Sequence, residues 1–301
     1  MKAIVTGALQ ATQEELNMLR AMGLEVTLHQ DERQSVDDPG QYEIAVCNGL
    51  FAYQDIGRFT NLKYIQLTSA GMDRVPLDYI RQQGIVLHNA AGVYSVPMAE
   101  WTLMRILELY KNAGTQYASQ AAKCWAKDRS WRELAGKRAC IVGFGAYGME
   151  TAKRLKAFDV TVTAVNRTRK ASPWVDRFCP MEELNGALAQ ADIVIMAIAL
   201  TEQTRGMMDE ERFAAMKDGA VFINAARGAL VDEAALIRAL EDGKLSGAAL
   251  DVFETEPLPA EHPFWNAANL IITPHNSFVG ENNHGRLVAL VLENLKDCLV
   301  E

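Results

Sequence analysis

With 301 residues, 49% of them apolar and 23% charged, the chain is long enough for two domains with separate cores and has the balance of a folded protein. Its net charge of -8 is spread along the sequence, and the densest basic run, 167–170, is too short for a nucleic-acid surface, so no nucleic-acid partner is expected. The most apolar stretch, 193–200, is too short to cross a bilayer as a helix, and the first residues lack a secretory leader pattern; the expectation is a cytoplasmic protein with no membrane partner. Residues 2–6 read as a strand, and Thr12-Gln13-Glu14-Glu15 has the form of a capping box that opens a helix. Strand candidates follow at 25–28, 44–47, 64–67 and 85–87. A long helical stretch from about 95 to 122 then precedes a second alternation. Its strands, at 139–142, 161–165, 193–198, 220–223, 248–250 and 270–272, are continuous and apolar, as strands buried on both faces should be. Helical segments 147–158 and 233–241 lie between them. This alternation predicts an α/β fold of parallel sheets with helices on both faces, in two blocks, 1–93 and 94–275. A closing helical pattern, 281–299, fits either block on periodicity alone. Five scattered cysteines, an odd number without C-x-x-C spacing, read as reduced thiols with neither disulfides nor a zinc site, so no metal is expected.

Gly143, Gly145 and Gly148 form G-x-G-x-x-G directly after an apolar strand and at the start of a helix. The first glycine permits the tight turn, the second lets backbone approach a pyrophosphate, and the third lets helix and strand pack closely. Backbone N–H groups at this helix start, around Ala146 and Tyr147, are then a site for a dinucleotide phosphate. A carboxylate that would bind an adenosine ribose diol is expected at the end of the next strand, but that strand runs into Asn166-Arg167-Thr168-Arg169-Lys170. Asp159 lies at its wrong end. Arg167 and Thr168 instead suit a 2′-phosphate, because guanidinium–phosphate pairing is bidentate and charge-assisted. NADP is therefore the expected cofactor, with NAD as the alternative.

Three later motifs carry the chemistry. Asn224-Ala225-Ala226-Arg227-Gly228 follows one buried strand, Asp251-Val252-Phe253-Glu254-Thr255-Glu256-Pro257 follows the next, and Thr273-Pro274-His275 follows the one after. An Arg, a Glu and a His thus emerge from successive strand ends, the edge at which open α/β sheets bind ligands.

With these motifs in this order, the chain resembles the D-isomer-specific 2-hydroxyacid dehydrogenases, most densely from Leu134 to Ser277, and looks most like their glyoxylate/hydroxypyruvate reductases. The resemblance implies two domains. A Rossmann-type doubly wound parallel sheet at 94–275 would bind the dinucleotide, and a flavodoxin-like substrate domain would comprise 1–93 and 276–301, with the active site in the cleft between them. It further implies an NAD(P)-dependent oxidoreductase acting on a small anionic 2-keto or 2-hydroxy acid. His275 would be the proton donor, Glu256 its supporting carboxylate, and Arg227 the group that holds substrate. Ala70 and Gly71, in Ser69-Ala70-Gly71-Met72-Asp73, would bind the substrate carboxylate through backbone N–H groups. Ala225, Ala226 and Asp251 would line the cofactor, with Asp251 on the nicotinamide carboxamide, and a homodimer would form around the long helix and the segment 111–131. No appended regulatory domain is expected, which speaks against the main alternative, 3-phosphoglycerate dehydrogenase, although Arg74 would suit a phosphate. The family's formate branch carries Gln where Glu256 stands here. A nucleotide-sensing corepressor is the alternative of another class.

Overall fold

The computed structural model describes residues 1–300. The chain divides into two compact units, Met1–Tyr94 together with the segment from Gly280, and Ser95–Val279.

The first unit is built on a parallel sheet of β1 (Lys2–Thr6), β2 (Glu25–His29), β3 (Ile44–Cys47), β4 (Tyr64–Leu67) and β5 (Val86–His88), in the order β2-β1-β3-β4-β5. This is the flavodoxin-like winding. The central strands are almost wholly buried, whereas β2 and β5, at the edges, are largely exposed. Thr12 and Glu15 complete both halves of the capping box at the start of the helix Gln13–Ala21. The closing helix, Asn283–Val300, places Leu287, Val291 and Leu295 in one core with Ala3, Val5, Leu16 and Leu19. Their spacing of four puts all three on one helical stripe.

In the second unit, β6 (Arg138–Val142), β7 (Thr161–Val165), β8 (Arg177–Cys179), β9 (Ile193–Met196), β10 (Ala220–Asn224), β11 (Leu245–Leu250) and β12 (Leu270–Ile272) form a parallel sheet ordered β12-β11-β10-β9-β6-β7-β8. The order reverses between β6 and β9, the switch point at which a doubly wound sheet opens a crevice. Alternation explains the continuous apolar strands. Cys140 and Val142 enter the core on one face, while Ala139 and Ile141 enter the core on the other.

Three elements depart from the sequence reading. The edge strand β8, with Arg177 exposed, is too short to show a pattern. The stretch expected as one long helix is two, Ser95–Tyr110 and Ala113–Ala121. They part at Asn112, whose backbone takes a left-handed φ of 48° while its amide donates to Asp128 and to Ser130. Finally, β9 ends at Met196, two residues before the apolar run does, because the chain there passes against the glycine turn that follows β6. Among the described residues, no helix is long and apolar enough to cross a membrane.

Candidate active site

The glycine turn sits at the carboxyl end of β6, beside the switch point. Each glycine meets a different constraint. Gly143 has φ +95°, and a Cβ there would stand 2.5 Å from the Ala197 carbonyl oxygen. At Gly148 a Cβ would stand 2.6 Å from the Gly143 oxygen and 3.3 Å from Ile141, so only glycine lets the helix Ala146–Lys156 lie this close to β6. Gly145 faces open space and caps that helix without a side-chain hydrogen bond. The first-turn N–H groups at Ala146, Tyr147 and Gly148 lack intrahelical acceptors by construction, at the positive end of the helix dipole. An open, uncapped helix start fits a dinucleotide phosphate. Tyr147 itself is buried with its hydroxyl 2.6 Å from that of Thr102, so only its backbone is available to a ligand. Burial pushes its phenol pKa up strongly.

Beyond β7, Asn166 ties the two loops together. Its Oδ1 accepts from the Phe144 N–H at 3.4 Å and its amide donates to the Thr168 carbonyl at 2.7 Å. Arg167, Thr168, Arg169 and Lys170 are exposed, and the tip carries no carboxylate.

Arg227, Glu256 and His275 follow the carboxyl ends of β10, β11 and β12, three adjacent parallel strands in register Asn224–Leu250–Ile272. Neighbouring strands lie about 5 Å apart, so the segments that follow them emerge side by side. His275 Nδ1 lies 2.7 Å from Glu256 Oε2, and the other Glu256 oxygen accepts from the Phe253 N–H at 3.0 Å. The His275 side chain is 38% exposed, so its ring is supported on one nitrogen and accessible elsewhere. Phe278 packs edge-on against it at 6.0 Å. Asn224 shapes the Arg227 turn from both ends, accepting from the Ala226 N–H at 3.0 Å and donating to the Arg227 carbonyl at 2.9 Å. Gly228 brings this turn onto the next one, since a Cβ there would fall 1.9 Å from the Phe253 carbonyl carbon. Ala225 and Ala226 are buried beneath it.

Asp251 has a role that sequence reasoning did not foresee. It is fully buried, and its carboxylate holds the His275 loop: one oxygen accepts from the Thr273 hydroxyl at 2.5 Å and the Asn276 N–H at 3.0 Å, the other from the Ser277 N–H at 2.8 Å. A buried carboxylate is tolerable only with such partners. Trp101 adds its indole N–H to the Thr273 hydroxyl at 3.1 Å. Nothing in the spacing of these residues announces the arrangement.

Ala70 and Gly71 belong to the first unit, on the loop after β4. The Ser69 carbonyl accepts from the Ala90 N–H at 2.9 Å, and the Ala70 carbonyl from the Asn89 amide at 2.7 Å. A trans peptide points its N–H opposite to its carbonyl, so the Ala70 and Gly71 N–H groups point away from the segment 89–90. Paired, outward N–H groups on an exposed loop suit a carboxylate.

The chain is similar to known proteins. Residues 103–277 match the family described as "D-isomer specific 2-hydroxyacid dehydrogenase, NAD binding domain". A glyoxylate reductase of Thermofilum pendens is 35% identical over 78% of this chain and 71% of its own length. A D-3-phosphoglycerate dehydrogenase of Archaeoglobus fulgidus is 30% identical over 98% of this chain, which spans 57% of that relative. Among solved structures, a D-isomer specific 2-hydroxyacid dehydrogenase from Xanthobacter autotrophicus Py2, in complex with NADPH and MES, has a TM-score of 0.81 at 32% identity, covering 98% of this chain and 93% of the other.

Proposed function

Since the chain belongs to the D-isomer specific 2-hydroxyacid dehydrogenase family and is an NAD(P)-dependent enzyme of that kind, we propose that it reduces a small 2-keto acid resembling glyoxylate or hydroxypyruvate to the D-2-hydroxy acid, with NADPH as the preferred reductant. The observation that carries this reading is the His275–Glu256 pair, with a ring nitrogen 2.7 Å from a carboxylate and the ring accessible. The bound dihydronicotinamide supplies the hydride. As negative charge develops on the carbonyl oxygen, His275 donates a proton to it from Nε2, while Glu256 on Nδ1 keeps the ring oriented. Arg227 pairs with the substrate carboxylate and stabilises the developing charge, and the backbone N–H groups of Ala70 and Gly71 suit a carboxylate of the same kind. Asn166, Arg167 and Thr168 would hold the adenosine end of the cofactor. An exposed guanidinium at a tip without a carboxylate favours a 2′-phosphate over a bare diol, by about 10- to 100-fold for one charge-assisted contact.

Following cofactor absorbance with a panel of 2-keto acids tests the reading. Turnover of glyoxylate or hydroxypyruvate, faster with NADPH than with NADH, is expected. Inactivity on every 2-keto acid, or a clear preference for NADH, rejects the corresponding part. A second reading, 3-phosphohydroxypyruvate as substrate, is favoured by Arg74, which is exposed just past the Ala70–Gly71 loop with its Cδ 3.9 Å from where a Gly49 Cβ would stand. The same panel decides it. A homodimer belongs to the proposal as well, supported by Met104, Tyr117, Trp125 and Trp131, large apolar side chains exposed on or after the helices Ser95–Tyr110 and Ala113–Ala121. Light scattering that finds a monomer at micromolar concentration removes it.

A further inference from the structure

The segment 254–262, which carries Glu256, is gripped near both ends by one side chain. Glu233 Oε1 accepts from the Glu254 N–H at 3.0 Å, and Glu233 Oε2 lies 3.2 Å from His262 Nε2. His262 Nδ1 in turn accepts from the Phe264 N–H at 3.3 Å, capping the short helical turn Pro263–Asn266. A nitrogen that accepts carries no proton, so this network assigns the ring proton to Nε2, which donates it to Glu233. Glu233 opens the helix Glu233–Glu241, where the helix dipole favours negative charge. Both side chains are about one-fifth exposed, so water competes with these bonds only weakly.

The Phe253 and Glu254 N–H groups are consecutive. The first binds the Glu256 carboxylate and the second binds Glu233. Loosening the second therefore frees the turn that aims the first. From this we infer that Glu233 and His262 are positioning residues, a clamp that holds the Glu256 carboxylate at His275 Nδ1; the inference rests on the acid role proposed for His275. The groups around His275 are the Glu256 carboxylate, the Phe278 ring edge and, at its backbone N–H, the Asp251 and Thr273 carbonyls, while Arg227 follows β10, two strands away from β12.

His262→Asn separates clamp from cap, because asparagine caps the Pro263–Asn266 turn well but cannot reach Glu233. The expected result is kcat lower by about 10-fold with KM for NADPH within about 2-fold. Thermal unfolding should stay near that of the parent. Glu233→Gln, which keeps an acceptor for the Glu254 N–H, should recover part of the loss seen in Glu233→Ala, and it remains informative if the alanine variant does not fold. A parent-like kcat in His262→Asn, or activity lost only in proportion to folded protein, overturns the clamp. His275→Ala run alongside separates the two ideas. Undiminished turnover there removes the acid role itself, whereas an inactive His275→Ala beside a parent-like His262→Asn rejects only the clamp.

Discussion

His275 holds a backbone conformation, φ 48°, that few residues other than glycine adopt, although histidine tolerates it better than most. Its N–H is shared between the Asp251 and Thr273 carbonyls at 2.8 and 3.0 Å, so the surrounding turn overdetermines it. This turn fixes the backbone from which the ring reaches Glu256. Replacing His275 by Ala should lower turnover by about 10²- to 10⁴-fold while NADPH still binds. Stopped turnover together with lost binding, followed by cofactor fluorescence, would point to a structural role instead. The residue itself was visible in the sequence, as the histidine of Thr273-Pro274-His275 after a strand. Its support from Asp251 was not, because the partners Thr273, Asn276 and Ser277 are 22 to 26 residues away and reach it only across the sheet.

At the scale of elements, the glycine turn separates ligand space from packing space. Gly145 has room for a methyl group at φ -83°, so Gly145→Ala should fold normally and yet bind NADPH at least about 10-fold more weakly, the methyl occupying the path of the phosphate. Gly148→Ala should instead lower the melting temperature, because its Cβ would collide with the Gly143 carbonyl at 2.6 Å. Titration and melting of the two variants check the contrast; equal melting temperatures would contradict it. The spacing of the motif was enough to foresee the tight turn at Gly143 and the close packing at Gly148. It could not show that β9 stops at Met196 to let the turn pass, nor that Asn112 breaks the long helix, since both follow from contacts with residues distant in sequence.

Across the whole molecule, stability depends on carboxylates held at strand starts. Burial alone would raise the Asp192 pKa, but the Lys217 ammonium at 2.5 Å and the Arg138 N–H at 2.9 Å outweigh it and draw the pKa below its ordinary 3.8. A depressed pKa contributes stability above the unfolded value and loses it as pH falls through the folded one. Asp192→Asn should therefore melt below the parent at about pH 7, and the gap should narrow as the pH falls below 3.8. A constant gap between them would argue against the ion pair. Length, apolar alternation and glycine spacing were sufficient, by themselves, to determine two α/β units, a parallel sheet and the cofactor turn, because these are local patterns read over a few residues. Tertiary structure decided which strands are neighbours, and hence that the ends of β10, β11 and β12 bring Arg227, Glu256 and His275 to one edge. It also decided which distant groups Asp251 and Glu233 hydrogen-bond. Side chains far apart in sequence become partners only when packing closes the chain between them, and no local pattern records that closure.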